Sequence, residues 1–133
     1  MSRLILRRGN VTPLRDPRYA TLWELGGPDT GLKTLSAALV SVDPGAVSPR
    51  HWHHMTEEMY LITAGRGVVH LDGQDLPVRP GDSISIPPGV VHAIGNPGRG
   101  PLTMWVVTSP PYTEGDDFEV DEQPDSPCSP PAS

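Results

Sequence analysis

The chain is poor in the features that usually place a protein quickly. It holds one cysteine, Cys128, in 133 residues. No disulfide can therefore close within a single chain, which fits a reducing compartment. It has a single lysine, Lys33, beside nine arginines. Long hydrophobic runs are missing. Near the start the longest is Leu4-Ile5-Leu6, too short for the core of a secretory leader. Nothing approaches the length of a membrane-spanning helix. The expectation is a cytoplasmic protein with no membrane partner. Apolar residues at helical spacing are also scarce, and no stretch reads as an amphipathic helix.

Positive charge is scarce where a nucleic-acid surface would need it. The formal charge is −6, and its placement is uneven. Seven of the sixteen acids follow Thr108 (Glu114, Asp116, Asp117, Glu119, Asp121, Glu122 and Asp125), with no Lys or Arg among them. The preceding body carries nine acids and ten bases, so it is near neutral and has no basic stripe for DNA or RNA. No Walker or Rossmann glycine loop is present. Nor is there a Ser-His-Asp arrangement, and Cys128 sits in a poor setting for a reactive thiolate.

What the chain does have is turn residues, 17 prolines and 14 glycines, set between short apolar segments. Segments 19–25, 32–42, 58–63, 68–71, 75–79, 83–86, 90–94 and 102–108 read as strands. Asp72-Gly73 is a strong hairpin signal. Short strands at regular spacing with turns between them indicate an all-β sandwich or barrel. Three regions follow. Residues 1–18 are a basic, irregular arm whose Leu4-Ile5-Leu6 can add an edge strand. Residues 19–113 are the β-domain. Residues 114–133 are an acidic Pro/Ser-rich tail, disordered from about 122, with Tyr112 and Phe118 available to tie its first half to the body.

The chemistry concentrates in two stretches. The first runs from Gly45 to Gly65 and contains His51-Trp52-His53-His54-Met55-Thr56-Glu57-Glu58. Residues two apart on a strand share a face, so His51 and His53 can reach one point. Glu58 has the opposite parity. It joins them only if the chain turns between His53 and Glu58, after which Glu58, Tyr60 and Ile62 share the inward face of a second strand. The second stretch, Gly81 to Asn96, places His92 just past Pro87-Pro88-Gly89. Three imidazoles and one carboxylate suit a divalent first-row metal.

These two stretches resemble the paired signature motifs of the cupin superfamily. Gly45, His51, His53, Glu58 and Gly65 match the first motif, and Gly81, Pro87, Gly89, His92 and Asn96 match the second. The resemblance implies a jelly-roll β-barrel of two packed antiparallel sheets. It also implies one metal per chain held by His51, His53, Glu58 and His92. The spacing to Gly65 favours Glu58 over Glu57 as the ligand. His54 is expected to be an exposed turn residue. His70 is expected at a surface or interface, with Val69 and Leu71 pointing inward. Asn96 should bond backbone within its loop. Ile62, Ile84, Ile86, Ile94 and Met104 are candidates for an apolar wall. Trp23, Trp52 and Trp105 can belong to rim or core.

Without thiolates the site suits Fe, Mn, Ni or Zn, with positions left for a substrate. The main expectation is a dioxygenase-type oxidoreductase acting on a small organic molecule, with Glu58 and Tyr60 as catalytic residues. The alternatives are a non-redox isomerase, cyclase or lyase in which the metal is a Lewis acid, and a non-catalytic ligand-binding module. A storage-type structural role fits poorly with an intact ligand set. The absence of an inward Lys or Arg cluster disfavours a phosphate-bearing substrate. Cupins of this size are often dimers, so a homodimer is expected.

Overall fold

The computed structural model describes residues 4–120. Within them the chain forms eleven strands: β1 (Leu14–Asp16), β2 (Ala20–Gly26), β3 (Ser36–Val42), β4 (His51–His53), β5 (Glu57–Ala64), β6 (Gly67–Leu71), β7 (Gln74–Val78), β8 (Ser83–Ile86), β9 (His92–Gly95), β10 (Leu102–Ser109) and β11 (Asp117–Glu119). Every paired strand is antiparallel. One sheet has six strands in the order β1-β2-β3-β10-β5-β8. The other has five in the order β11-β4-β9-β6-β7. The two pack face to face as a jelly roll, the all-β architecture expected from the turn spacing. No helix among the described residues is long and apolar enough to cross a membrane.

The core follows from strand alternation. On β5, Tyr60 and Ile62 are buried while Met59 and Leu61 are exposed. On β8, Ile84 and Ile86 are buried between exposed serines. The register sets Tyr60 opposite Ile84, and Ile62 opposite Met104. The expected wall residues Ile62, Ile84, Ile86, Ile94 and Met104 all lie in one core cluster with Val40, Val42 and Leu102. Trp23 and Trp105 lie on the outer face of the six-stranded sheet instead, where both are paired with Leu39. The Arg8 guanidinium sits 5.0 Å from the Trp23 ring centre, a cation–π contact.

The turns behave as their residues dictate. Asp72 and Gly73 both have positive φ (49° and 82°), the pair of conformations a two-residue hairpin needs. Asn96 closes its loop as expected. Its Nδ2 donates to the carbonyls of Val42 and Gly100, both at 2.9 Å, and its Oδ1 accepts from the Gly98 amide.

Several details differ from the sequence reading. Leu4-Ile5-Leu6 forms no strand and is largely exposed. The N-terminal edge strand of the six-stranded sheet is instead Leu14–Asp16, paired with β2. The third strand begins only at Ser36, whose hydroxyl meets that of Thr108 at 2.6 Å. His70 is buried, not at a surface. Gly67 to His70 are buried without a break, so neither face of this strand is open to solvent. The His70 Nδ1 meets Asp75 across the hairpin at 2.8 Å. Beyond residue 113 the chain returns to the barrel, and β11 extends the five-stranded sheet beside β4. The expected disorder of 122–133, and Cys128, fall outside the described residues.

Candidate metal centre

The four residues singled out in the sequence meet at one point. One donor atom from each of His51, His53, Glu58 and His92 lies within 4.8 Å of the others. They arrive from both sheets. His51 and His53 project from β4, and His92 opens β9, directly opposite His51 in the ladder. Glu58 comes from β5 of the other sheet. The chain changes sheets across residues 54–56, and that crossing supplies the parity break Glu58 requires. Glu57 and His54 are exposed and point away. The Pro87-Pro88-Gly89 corner places His92: Gly89 has φ +85°, and its amide donates to the His53 carbonyl at 2.8 Å.

The hydrogen bonding of the rings decides what the cluster can hold. His51 Nδ1 lies 2.9 Å from the Pro49 carbonyl, His92 Nδ1 lies 2.9 Å from the Val90 carbonyl, and His53 Nδ1 lies 3.1 Å from the Asp116 carbonyl. A carbonyl only accepts, so each Nδ1 carries the proton. In a neutral ring that leaves Nε2 with a bare lone pair. The Nε2 atoms of His53 and His92 are buried and have no hydrogen-bond partner. Each lies beside Glu58, at 3.4 and 3.3 Å, without hydrogen-bond geometry. The nearest group is thus a carboxylate, which when ionised also only accepts. Electron-pair donors gathered with no proton among them call for a cation. An all-nitrogen-and-oxygen set fits a divalent transition metal. Each ring's backbone contact fixes its tautomer and orientation, as outer partners of metal ligands do.

The electrostatics agree for Glu58 and His51, while His53 is pushed toward its charged form, in which a proton takes the place of a cation at Nε2. Burial works against the charged form of Glu58, yet His53 and His92 outweigh it and hold its carboxyl well below the ordinary carboxylate range. Glu58 is therefore an anion at neutral pH. His53 is raised above its ordinary value by the adjacent Glu58 carboxylate. His51 is lowered, first by burial and then by repulsion from His92; both effects favour the neutral, ligating ring.

Tyr60, two residues along β5 from Glu58, is buried, and its ring centre lies 6.2 Å from that of His92. Burial, reinforced by the Glu58 charge, lifts its hydroxyl well above the ordinary tyrosine value, so it keeps its proton at neutral pH. Sequence reasoning missed a second tyrosine close by. Tyr19 packs against the same core, and burial, with the charges of Asp16 and Glu58, raises its hydroxyl to about 12. It also missed Asp116, which lies in the acidic tail. Only the odd position of that acid next to a strand-forming Asp-Phe-Glu could have signalled it.

A jelly roll whose four donors converge in this way is consistent with a single metal site, and sequence comparison places it further. The cupin domain profile matches residues 38–108, which take in all four converging residues. The chain belongs to the cupin family. It is 39% identical over 84 residues to an uncharacterised protein, MJ1618, of Methanocaldococcus jannaschii, covering 63% of this chain and 66% of that one. It is 35% identical over 79 residues to a mannose-1-phosphate guanylyltransferase of Klebsiella pneumoniae, covering 59% of this chain but only 17% of that enzyme. This chain thus spans under two thirds of the first relative and about a sixth of the second. Among solved structures it is similar to a sugar phosphate isomerase of the cupin superfamily from Silicibacter pomeroyi. The TM-score is 0.74 at 26% identity, covering 89% of this chain and 82% of that one.

Proposed function

We propose that the protein is a mononuclear metal-dependent cupin enzyme of the non-redox kind. It would isomerise, cyclise or eliminate within a small molecule bearing a carbonyl and neighbouring hydroxyl or enol oxygens. The observation that carries this reading is the cluster of three Nδ1-protonated imidazoles and an ionised Glu58, aimed at one point with no proton between them. When bound there, a divalent metal supplies Lewis acidity toward a carbonyl oxygen. The rest falls to the chain. His51, His53 and His92, locked by backbone carbonyls, hold their lone pairs in place. Glu58 is the one carboxylate among the converging groups, so it is suited to take a proton from a carbon beside the carbonyl. Tyr60 keeps its proton and can give it to an oxygen of the bound molecule. The apolar wall of Ile62, Ile84, Ile86 and Met104 limits water at the reacting carbon.

The similarity to a sugar phosphate isomerase supports this reading over oxygen insertion. The main charged influences on Glu58 are His53 and His92, with no Lys or Arg among them, so an uncharged or carboxylate-bearing substrate suits the site better than a phosphorylated one. The test is metal-loaded protein incubated without oxygen, in D2O, with a panel of hydroxy-aldehydes, hydroxy-ketones and β-hydroxy acids. Deuterium incorporation beside the carbonyl, followed by NMR and abolished by chelator, is the expected result. Metal-dependent oxygen uptake with enols, and no exchange in the absence of oxygen, would overturn it in favour of a dioxygenase.

A further inference from the structure

The segment after residue 113 does more than extend a sheet. Asp117, Phe118 and Glu119 pair in register with His53, Trp52 and His51. The Phe118 ring stacks on Trp52 with centres 4.6 Å apart, and the Val120 amide donates to the Arg50 carbonyl at 2.9 Å. Glu119 takes an ion pair from Arg18 at 2.9 Å, which ties the strap to the turn before β2. This arrangement delivers Asp116 to the point where the chain changes sheets.

There Asp116 collects nearly every donor the crossing offers. Its carboxylate accepts from the backbone amides of His54 and Met55, both at 3.1 Å, and of Thr56 at 3.0 Å. It also accepts from the Thr56 hydroxyl at 2.6 Å. Its own carbonyl takes the His53 Nδ1 proton at 3.1 Å. One residue, some sixty positions away in sequence, therefore fixes two things. It sets the turn that determines where Glu58 starts on β5, and it sets the tautomer of His53. Consecutive amides converging on a carboxylate form a tight, charge-assisted clamp, and a backbone turn of this kind has no internal ladder to hold it otherwise.

We propose that Asp116 is a positioning residue of the four-donor centre, clamping the 54–56 crossing so that Glu58 and His53 face the same point. The part of this that concerns metal affinity rests on the metal reading above. The clamp itself does not.

The test compares the wild-type full chain with Asp116→Ala and Asp116→Asn. Co(II) is the probe. Affinity is read by competition with a chelator, and the ligand field by the visible spectrum at saturation. Asp116→Ala should lose about 10–100-fold in Co(II) affinity, the range typical of outer partners of metal ligands, and shift the visible bands. Asp116→Asn, which keeps one accepting oxygen, should recover part of both. A purely structural role would lower the melting temperature of the metal-free protein and leave affinity and spectrum unchanged, which would overturn the proposal. Should Asp116→Ala fail to fold, Thr56→Val removes one donor of the clamp and is read the same way. NMR of the metal-free protein decides the clamp separately. In the wild type the His53 ring should stay Nδ1-protonated, and amides 54–56 should exchange slowly. Asp116→Ala keeps the main-chain carbonyl that accepts from His53 but frees the loop that holds it in place, so the ring should mix tautomers and those amides should exchange faster. Identical ring signals and exchange in the two proteins would overturn the proposal even if the wild type bound no Co(II) at all.

Discussion

Gly65, the last glycine of the first motif, gives a prediction whose size can be worked out atom by atom. It has φ +81°, and a Cβ placed on it would lie 2.4 Å from the Pro101 carbonyl oxygen and 3.0 Å from the Leu102 Cα. Both obstacles are backbone at the start of β10, so neither can swing aside as a side chain would. Gly65→Ala therefore incurs two penalties. The left-handed conformation costs about 1–2 kcal/mol for a residue with a Cβ. Displacing the β10 entry disturbs Leu102, which is fully buried, and overpacking of that kind costs about 1–3 kcal/mol. The sum is about 2–5 kcal/mol, a large share of a typical stability of about 5–15 kcal/mol.

Gly73→Ala is the control. Gly73 has φ +82°, but nothing lies within 4 Å of its would-be Cβ, so only the conformational penalty applies. The loss of unfolded-chain freedom on replacing glycine is common to both variants and cancels in the comparison. Urea unfolding should place Gly65→Ala about 1–3 kcal/mol below Gly73→Ala with unchanged m-values. Equal midpoints for the two variants would refute the close approach between the β5–β6 turn and β10.

Four other expectations follow from the centre. A divalent metal at a hundredfold excess over its Kd should stabilise the fold by about 2.7 kcal/mol. Chelation should then lower the melting temperature by roughly 10 °C for a chain of this size, and no shift with any first-row metal would argue against a binding site. Glu58→Gln should weaken metal binding by more than about 100-fold, beyond the loss expected for an outer partner; calorimetry showing wild-type affinity would remove Glu58 from the ligand set. Tyr60→Phe should leave metal affinity unchanged and reduce turnover by about 10²–10⁴-fold, the range for loss of a proton donor; unaltered turnover would make Tyr60 a core residue only. In the metal-free protein, His53 is raised above its ordinary value of 6.5 by Glu58. Its contribution to stability is therefore fully present below that value and lost as pH rises through the higher folded one. The metal-loaded protein should behave oppositely, because protons compete with the ion for Nε2, and parallel pH–stability profiles for the two forms would contradict the assignment.

Much of the centre was legible because strand geometry is simple. A period of two puts His51 and His53 together, and the same rule demands a turn before Glu58, which the structure supplies as a change of sheet. The second motif was readable because Pro87-Pro88-Gly89 permits few conformations ahead of His92. What escaped the sequence was non-local. Alternation turned Val69 and Leu71 inward correctly, but it assumes that the opposite face is wet, and there His70 is buried as well. The three-residue strand β11 has too few residues to show any period, and Asp116 acts on amides sixty residues away. The same is true of Tyr19, whose place near Tyr60 depends on how β2 wraps the barrel.

The origin of the four donors has one more consequence. Three come from the five-stranded layer and only Glu58 from the six-stranded layer. An ion seated among them would act as a clasp between the two halves of the roll, fastened on one side by a single carboxylate. Without that one oxygen arm the ion would be held from the five-stranded side alone, by imidazoles that backbone carbonyls keep oriented. The residue best placed to move a proton would thus also be the one donor that joins such an ion to the six-stranded layer.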